Sequence, residues 1–161
     1  MKHVSRITIL TLGVMTLLTS VYAQHTKLPP FRMEQVNGKV FKAEELPYGK
    51  PIVLVYFLPD CDHCQKLTEE IIQHIHAFDK ASMAMITYYP VTAVGNFARK
   101  YGLNKYSNFY LGTELERFFL KNYYQLTSLP FMALYNKNGD LQKAYYSEKG
   151  FGDLVQRLKG L

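Results

Sequence analysis

The hydrophobic pattern divides the chain into an apolar leader and a series of strand-like and helix-like segments. Lys2 and Arg6 open a basic start, residues 7–18 are uncharged and mostly apolar, and Val21-Tyr22-Ala23 offers the small or modest residues a signal peptidase reads. Residues 1–23 are therefore expected to be a cleaved secretory signal, and residues 24–161 a single domain. The apolar run is shorter than the roughly 20 residues of a spanning helix. An uncleaved signal that anchors the chain in a membrane is accordingly the lesser alternative.

Downstream, residues 31–41 alternate around Asn37-Gly38, which predicts an N-terminal hairpin. Residues 52–58 form an unbroken apolar run, the pattern of a strand covered on both faces. From 62 to 79 the period becomes helical, with Cys64, Leu67 or Thr68, Ile71, Ile75 and Phe78 on one stripe. Residues 82–89 read as a second strand, so this strand–helix–strand unit implies a right-handed parallel crossover. A helix over 92–101 stopped by Gly102, a short strand over 106–111 and a helix over 113–122 are expected next. Residues 131–135 and 141–146 flank Asn138-Gly139 as antiparallel partners, and Leu154, Val155 and Leu158 mark the inner face of a last helix. The class is α/β.

Composition narrows the function. With 48% hydrophobic and 20% charged residues the chain is globular rather than disordered. Loss of Lys2 and Arg6 with the leader takes the formal charge from +6 to +4. No basic run interleaved with aromatics occurs, so no nucleic-acid partner is expected. The pairs Tyr88-Tyr89, Tyr123-Tyr124 and Tyr145-Tyr146 could edge a partner surface, although on a strand one of each pair packs inward.

Two cysteines in an exported chain would ordinarily be one structural disulfide. A bridge across Cys61-Asp62-His63-Cys64 closes so small a loop that it stabilises little, so redox chemistry accounts for the pair better. The strand-to-helix junction puts Cys61 at a helix mouth, where unpaired backbone N–H groups and the macrodipole favour thiolate over thiol. Cys64 follows one turn later on the buried stripe, placed to resolve a mixed disulfide. His63 between them is expected to tune the pair, an imidazolium favouring an adjacent thiolate while Asp60 and Asp62 oppose it. No metal is expected. A closed zinc site wants four ligands, and His74 and His76, two apart on a helix, cannot face one centre together.

The run Val55-Tyr56-Phe57-Leu58-Pro59-Asp60-Cys61-Asp62-His63-Cys64, followed by Ser128-Leu129-Pro130-Phe131, resembles the thioredoxin superfamily. Within it the chain is most similar to the extracytoplasmic TlpA/ResA-type thiol-disulfide oxidoreductases. Pro29-Pro30-Phe31, Asn37-Gly38-Lys39, Gly49-Lys50-Pro51 and Leu134-Tyr135-Asn136 fit that pattern, and the resemblance runs from Leu28 to Leu161. It implies a three-layer fold with a central mixed sheet flanked by helices and an N-terminal β-hairpin. An insert, at about residues 92–110, would lie between the first βαβ unit and the cis-proline strand. It also implies that Pro130 is cis against a redox-active Cys61–Cys64 disulfide, the only redox group needed. Leu129 would offer its backbone to an incoming peptide, with Pro59 and Asp60 beside the same groove. Partners would be protein thiols and disulfides, plus a membrane electron-transfer protein, in the periplasm or another extracytoplasmic space.

Departures from that family are specific. There is no tryptophan before Cys61, Val55 stands in place of a buried aspartate, and Leu67 stands where many relatives carry a glutamate, leaving Glu69 or Glu70 as substitute bases for Cys64. Histidine in the dipeptide, as in isomerases and oxidants of the superfamily, implies a less reducing potential, while the TlpA/ResA likeness tilts the direction towards reductase. The alternative is a copper-carrying module using Cys61, Cys64 and a histidine, although copper-delivery relatives usually space the cysteines one residue wider. A peroxidase would need a threonine and proline ahead of a lone attacking cysteine.

Overall fold

The computed structural model describes residues 26–47 and 49–161, so the expected leader lies outside the described residues. Seven strands form one mixed sheet: β1 (Arg32–Gln35), β2 (Val40–Lys42), β3 (Ile52–Tyr56), β4 (Ser82–Thr87), β5 (Phe109–Glu114), β6 (Phe131–Tyr135) and β7 (Leu141–Tyr145). Their order is β2-β1-β5-β4-β3-β6-β7. β3, β4 and β5 run parallel, while β6 pairs antiparallel with β3 and β1 antiparallel with β5. Helices α1 (Asp62–Gln73), α2 (Val91–Tyr101), α3 (Phe119–Tyr123) and α4 (Phe151–Leu158) complete it.

Strand periodicity sorts the central residues onto two faces. Val53, Val55 and Phe57 pack with Cys64, Leu67 and Ile71 of α1, Val94 and Phe97 of α2 and Leu154, Val155 and Leu158 of α4. Leu54, Tyr56 and Ile86 face the other way, under Phe31 and Met33 of the hairpin and Leu120 and Tyr124 of the α3 region. Every residue of β3, β4 and β6 is buried, which is why those strands read as continuous apolar runs. The expected three-layer mixed architecture with its N-terminal hairpin is the observed one.

Three boundaries differ from expectation. The helix expected over 62–79 ends at Gln73, and Ile75–Phe78 continues as a 3-10 turn after His74 leaves helical geometry at φ −110° and ψ 25°. The insert expected at about 92–110 is present between the first βαβ unit and the cis-proline strand: it is a second parallel crossover, in which α2 ends on Gly102 at φ +66° and leads into β5. The strand placed at 106–111 lies at Phe109–Glu114, and the helix placed at 113–122 begins only at Phe119. Main-chain pairing explains this: Met33 pairs with Glu114 and Glu34 with Thr113. β1 and β5 approach so closely at Gly112 that a Cβ there would lie 2.7 Å from the Glu34 carbonyl oxygen.

Tyr124 and Tyr145 pack inward while Tyr123 is half-buried and Tyr146 exposed. Tyr88 and Tyr89, past the end of β4, are both half-buried. Among the described residues no helix is long and apolar enough to cross a membrane.

Acid sensitivity follows from two carboxylates. Asp153 accepts from the Tyr145 hydroxyl at 2.7 Å, Arg157 Nε at 2.8 Å and Lys143 Nζ at 3.1 Å, which hold it well below the usual carboxylate range. Asp140 is lowered by Lys27 and by Asn136. A carboxyl lowered in the folded chain is protonated first in the unfolded one, so its contribution is complete above about pH 4 and is lost as the pH falls further. Urea midpoints measured from pH 7 to pH 2 are expected to fall below about pH 4. Asp153→Asn should lie under the wild type at neutral pH and converge with it in acid; parallel curves would contradict this assignment.

Candidate active site

β3 stops where Pro59 removes the next backbone donor. The Phe57 N–H still reaches the Ile86 carbonyl at 3.1 Å, and the Cys61 N–H closes a turn onto Leu58 O at 3.2 Å. Gln65 fixes this turn from α1: its Nε2 donates to Pro59 O at 2.9 Å, while its Oε1 accepts from Lys100 Nζ at 3.0 Å and the Tyr101 hydroxyl at 3.3 Å. The loop ahead of the cysteines is thereby tied to both α1 and α2.

Cys61 is the N-cap of α1, extended at φ −88° and ψ 121°, and its sulfur accepts from the Cys64 N–H at 3.4 Å. A sulfur thus occupies the position where a Ser or Asp oxygen would cap the helix, in the field of its positive end. Cys61 is half-buried and Cys64 is 1% exposed, and both are free thiols. The Leu58 N–H points at Cys64 Sγ from 3.5 Å. Burial, and then the hydrogen bond with Cys61, push the Cys64 thiol up, with the Leu58 N–H acting in the opposite direction.

Across from the pair, the Leu129–Pro130 peptide bond is cis, with Pro130 buried and Leu129 half-buried. Cys61 Sγ stands 4.0 Å from the Leu129 carbonyl oxygen. Cys61, Cys64, Pro59, Asp60, Leu129 and Pro130 therefore share the edge where β3 ends and β6 begins. His63 is placed differently. Its side chain is 68% exposed and its Nδ1 lies 2.9 Å from Glu148 Oε1, just ahead of α4. Partial burial raises the Glu148 carboxyl, but its own backbone N–H, His63 and Lys66 outweigh this and hold it low.

Val55 and Leu67 are buried apolar neighbours of Cys64, and among the described residues no carboxylate takes their place beside its sulfur. Glu69 and Glu70 lie about 140° and 240° around the helix from Cys64, away from its sulfur. Asp60, whose Oδ2 accepts from the Tyr89 hydroxyl at 2.8 Å, is the carboxylate whose charge reaches Cys64, and it opposes ionisation there. Gln65 and Glu148 are unmarked in the sequence, and Tyr89 is marked there only as half of a tyrosine pair, because nothing local reports the partners these side chains find. Among the described residues no group of three or more His, Cys, Asp or Glu could hold a metal ion.

Comparison with known proteins agrees with this geometry. A family model described as a thioredoxin-like domain matches residues 43–159. No curated protein matches the chain in sequence. A secreted disulfide oxidoreductase of Mycobacterium tuberculosis homologous to E. coli DsbE shares 22% identity, covering 82% of this chain and 96% of that one with a TM-score of 0.65. M. tuberculosis DsbF shares 18% over 84% and 97% of the two chains, TM-score 0.62. A thiol-disulfide oxidoreductase from Bacteroides fragilis shares 16% over 81% and 98%, TM-score 0.65. At such identities the structural likeness establishes the fold, and the family match covers most of the sequence. The chain belongs to the thioredoxin-like domain family.

Proposed function

We propose that the protein is an extracytoplasmic thiol-disulfide oxidoreductase that exchanges disulfides with protein substrates, running mainly as a reductant. The observation that carries this reading is the placement of the two sulfurs: one half-exposed at the tip of α1 beside the Leu129 carbonyl, the other buried one turn behind it. The secreted and oxidoreductase character of the structural neighbours supports the same reading.

In the reductive direction the Cys61 thiolate attacks a substrate disulfide, forming a mixed disulfide and releasing one substrate thiolate. Cys64 then attacks the Cys61 sulfur, breaking the mixed bond, releasing the second substrate thiolate and leaving a Cys61–Cys64 disulfide. Two electrons pass to the substrate, and the Cys64 proton passes to a departing substrate thiolate. Once Cys61 is bonded to substrate, the opposing charge of its own thiolate is gone, and the Leu58 N–H remains to receive negative charge on Cys64. Leu129 and Pro130, with Pro59 and Asp60, border the docking groove, and His63 tunes the pair. The disulfide is the only redox group required. A membrane electron-transfer protein returns the electrons.

Equilibration in glutathione buffers, followed by alkylation of free thiols and mass analysis, tests this. A single two-electron transition between dithiol and Cys61–Cys64 disulfide is expected, with the reduced form cleaving insulin disulfides. A pair that never forms the internal disulfide in any buffer would sink the reading, and a strongly oxidising midpoint would reverse the direction.

A further inference from the structure

The carboxyl ends of β3, β4 and β5 stand side by side, so the segments leaving them, residues 57–61, 88–89 and 115–118, form one continuous edge. At its far end Phe118 has φ +66°, a left-handed conformation that bulky side chains rarely adopt and that persists only where the surroundings enforce it. The enforcing group is Glu114, only 5% exposed. Its Oε1 accepts from the Phe118 N–H at 2.5 Å and the Tyr56 hydroxyl at 2.6 Å, and its Oε2 from the Leu120 N–H at 3.2 Å.

The consequence is a row of aromatic rings leading to the cysteines. Phe118 stands edge-on to Tyr88 with ring centres 4.7 Å apart, and Tyr88 lies 5.4 Å from Tyr89, whose hydroxyl donates to Asp60, the residue before Cys61. Arg117 and Lys121 sit 4.8 and 5.6 Å from the Phe118 ring centre, and both are exposed. Among the described residues neither has a carboxylate within ion-pair distance; the neighbouring Glu116 is taken by Arg32. Leu115 is 40% exposed beside them. The edge therefore starts at a reactive sulfur, continues over half-buried rings and ends at two cations whose charge is not neutralised.

We propose that this ledge selects substrates: it takes an extended protein segment that carries a carboxylate side chain about three residues from its reacting cysteine. The proposal rests on the exchange chemistry above and adds the class of segment presented to it. Spacing sets the offset. Neighbouring strands lie about 4.8 Å apart, so β3 to β5 spans about 10 Å, and an extended chain covers that in about three residues at roughly 3.3 Å each. The rings support the apolar parts of the segment, and the cations recognise its charge, an arrangement that favours discrimination and association rate over raw affinity.

Peptides with one cysteine, capped as the mixed disulfide with 2-mercaptoethanol, provide the test. Three versions differ only in carrying Glu, Gln or Lys three residues from the cysteine, in sets placed on either side of it. Stopped-flow reduction by the dithiol form is expected to be about fivefold faster for Glu than for Gln in one of the two sets, and slowest for Lys. The gap should close as salt approaches about 0.5 M, and the Arg117→Ala, Lys121→Ala double variant should lose the order among the three peptides. Because the readout is a ratio within one protein preparation, partial loss of active material does not imitate it. Equal rates in the wild type, or an order unchanged in the double variant, would overturn the ledge while leaving the exchange reading intact. Failure to reduce any of the peptides would remove the exchange reading, and this inference with it.

Discussion

With Cys64 replaced by alanine, the protein is expected to stop halfway through its cycle, joined to its substrate through Cys61. The half-exposed sulfur at the tip of α1 keeps its access to the Leu129 side of the groove, so the first exchange still occurs. The second exchange loses its nucleophile, and insulin-reduction turnover is expected to fall by at least about a thousandfold. Cys61→Ala should fail differently. Its remaining thiol is buried and shifted up, so it neither meets a substrate nor ionises readily, and no adduct forms. Intact-mass spectra and non-reducing gels distinguish the outcomes. If Cys61→Ala captured partners as efficiently as Cys64→Ala, the roles of the two sulfurs would have to be exchanged.

That asymmetry was legible in the sequence because it is local. A proline ends an apolar strand, a helical stripe begins, and the chain offset of three residues places one sulfur at the mouth and the other on the buried face. The hairpin was legible for a similar reason: Asn37-Gly38 supplies a glycine at φ +77° in the turn, and the alternation on either side fixes which residues face inward. β5 was not. Residues 113 and 114 belong to a strand because β1, about 80 residues earlier in the chain, pairs with them, and no local propensity reports that. The same limit hid the supports of the site. Gln65 finds Lys100 35 residues away, Asp60 finds Tyr89 29 residues away, and His63 finds Glu148 85 residues away. Chemistry carried by one junction can be read from the chain, whereas the polar contacts that position it are products of the topology.

Glu114 is where that topology is most exposed to a single substitution. Its carboxylate is the shared acceptor for a buried hydroxyl and two backbone N–H groups at the start of α3, and so joins Tyr56 of the sheet to Phe118 and Leu120 of the α3 region. Glu114→Ala leaves all three donors without an acceptor in a site that is 5% exposed. An abandoned buried donor costs about 1–3 kcal/mol, so a total loss of at least about 3 kcal/mol is expected even after local rearrangement. For a domain of this size that corresponds to a fall in Tm of about 10 °C. Glu114→Gln keeps one acceptor oxygen but turns an amide N–H₂ towards a donor, so its loss should be smaller, about 1–2 kcal/mol. Thermal and urea unfolding followed by circular dichroism check both. The alanine variant should also relax the left-handed backbone at Phe118, and with it the preference for acidic peptides, while a folded Glu114→Gln protein retains part of that preference. An alanine variant with an unchanged Tm would mean that water or a neighbouring group replaces the carboxylate at no cost, and that Phe118 holds its conformation by packing alone.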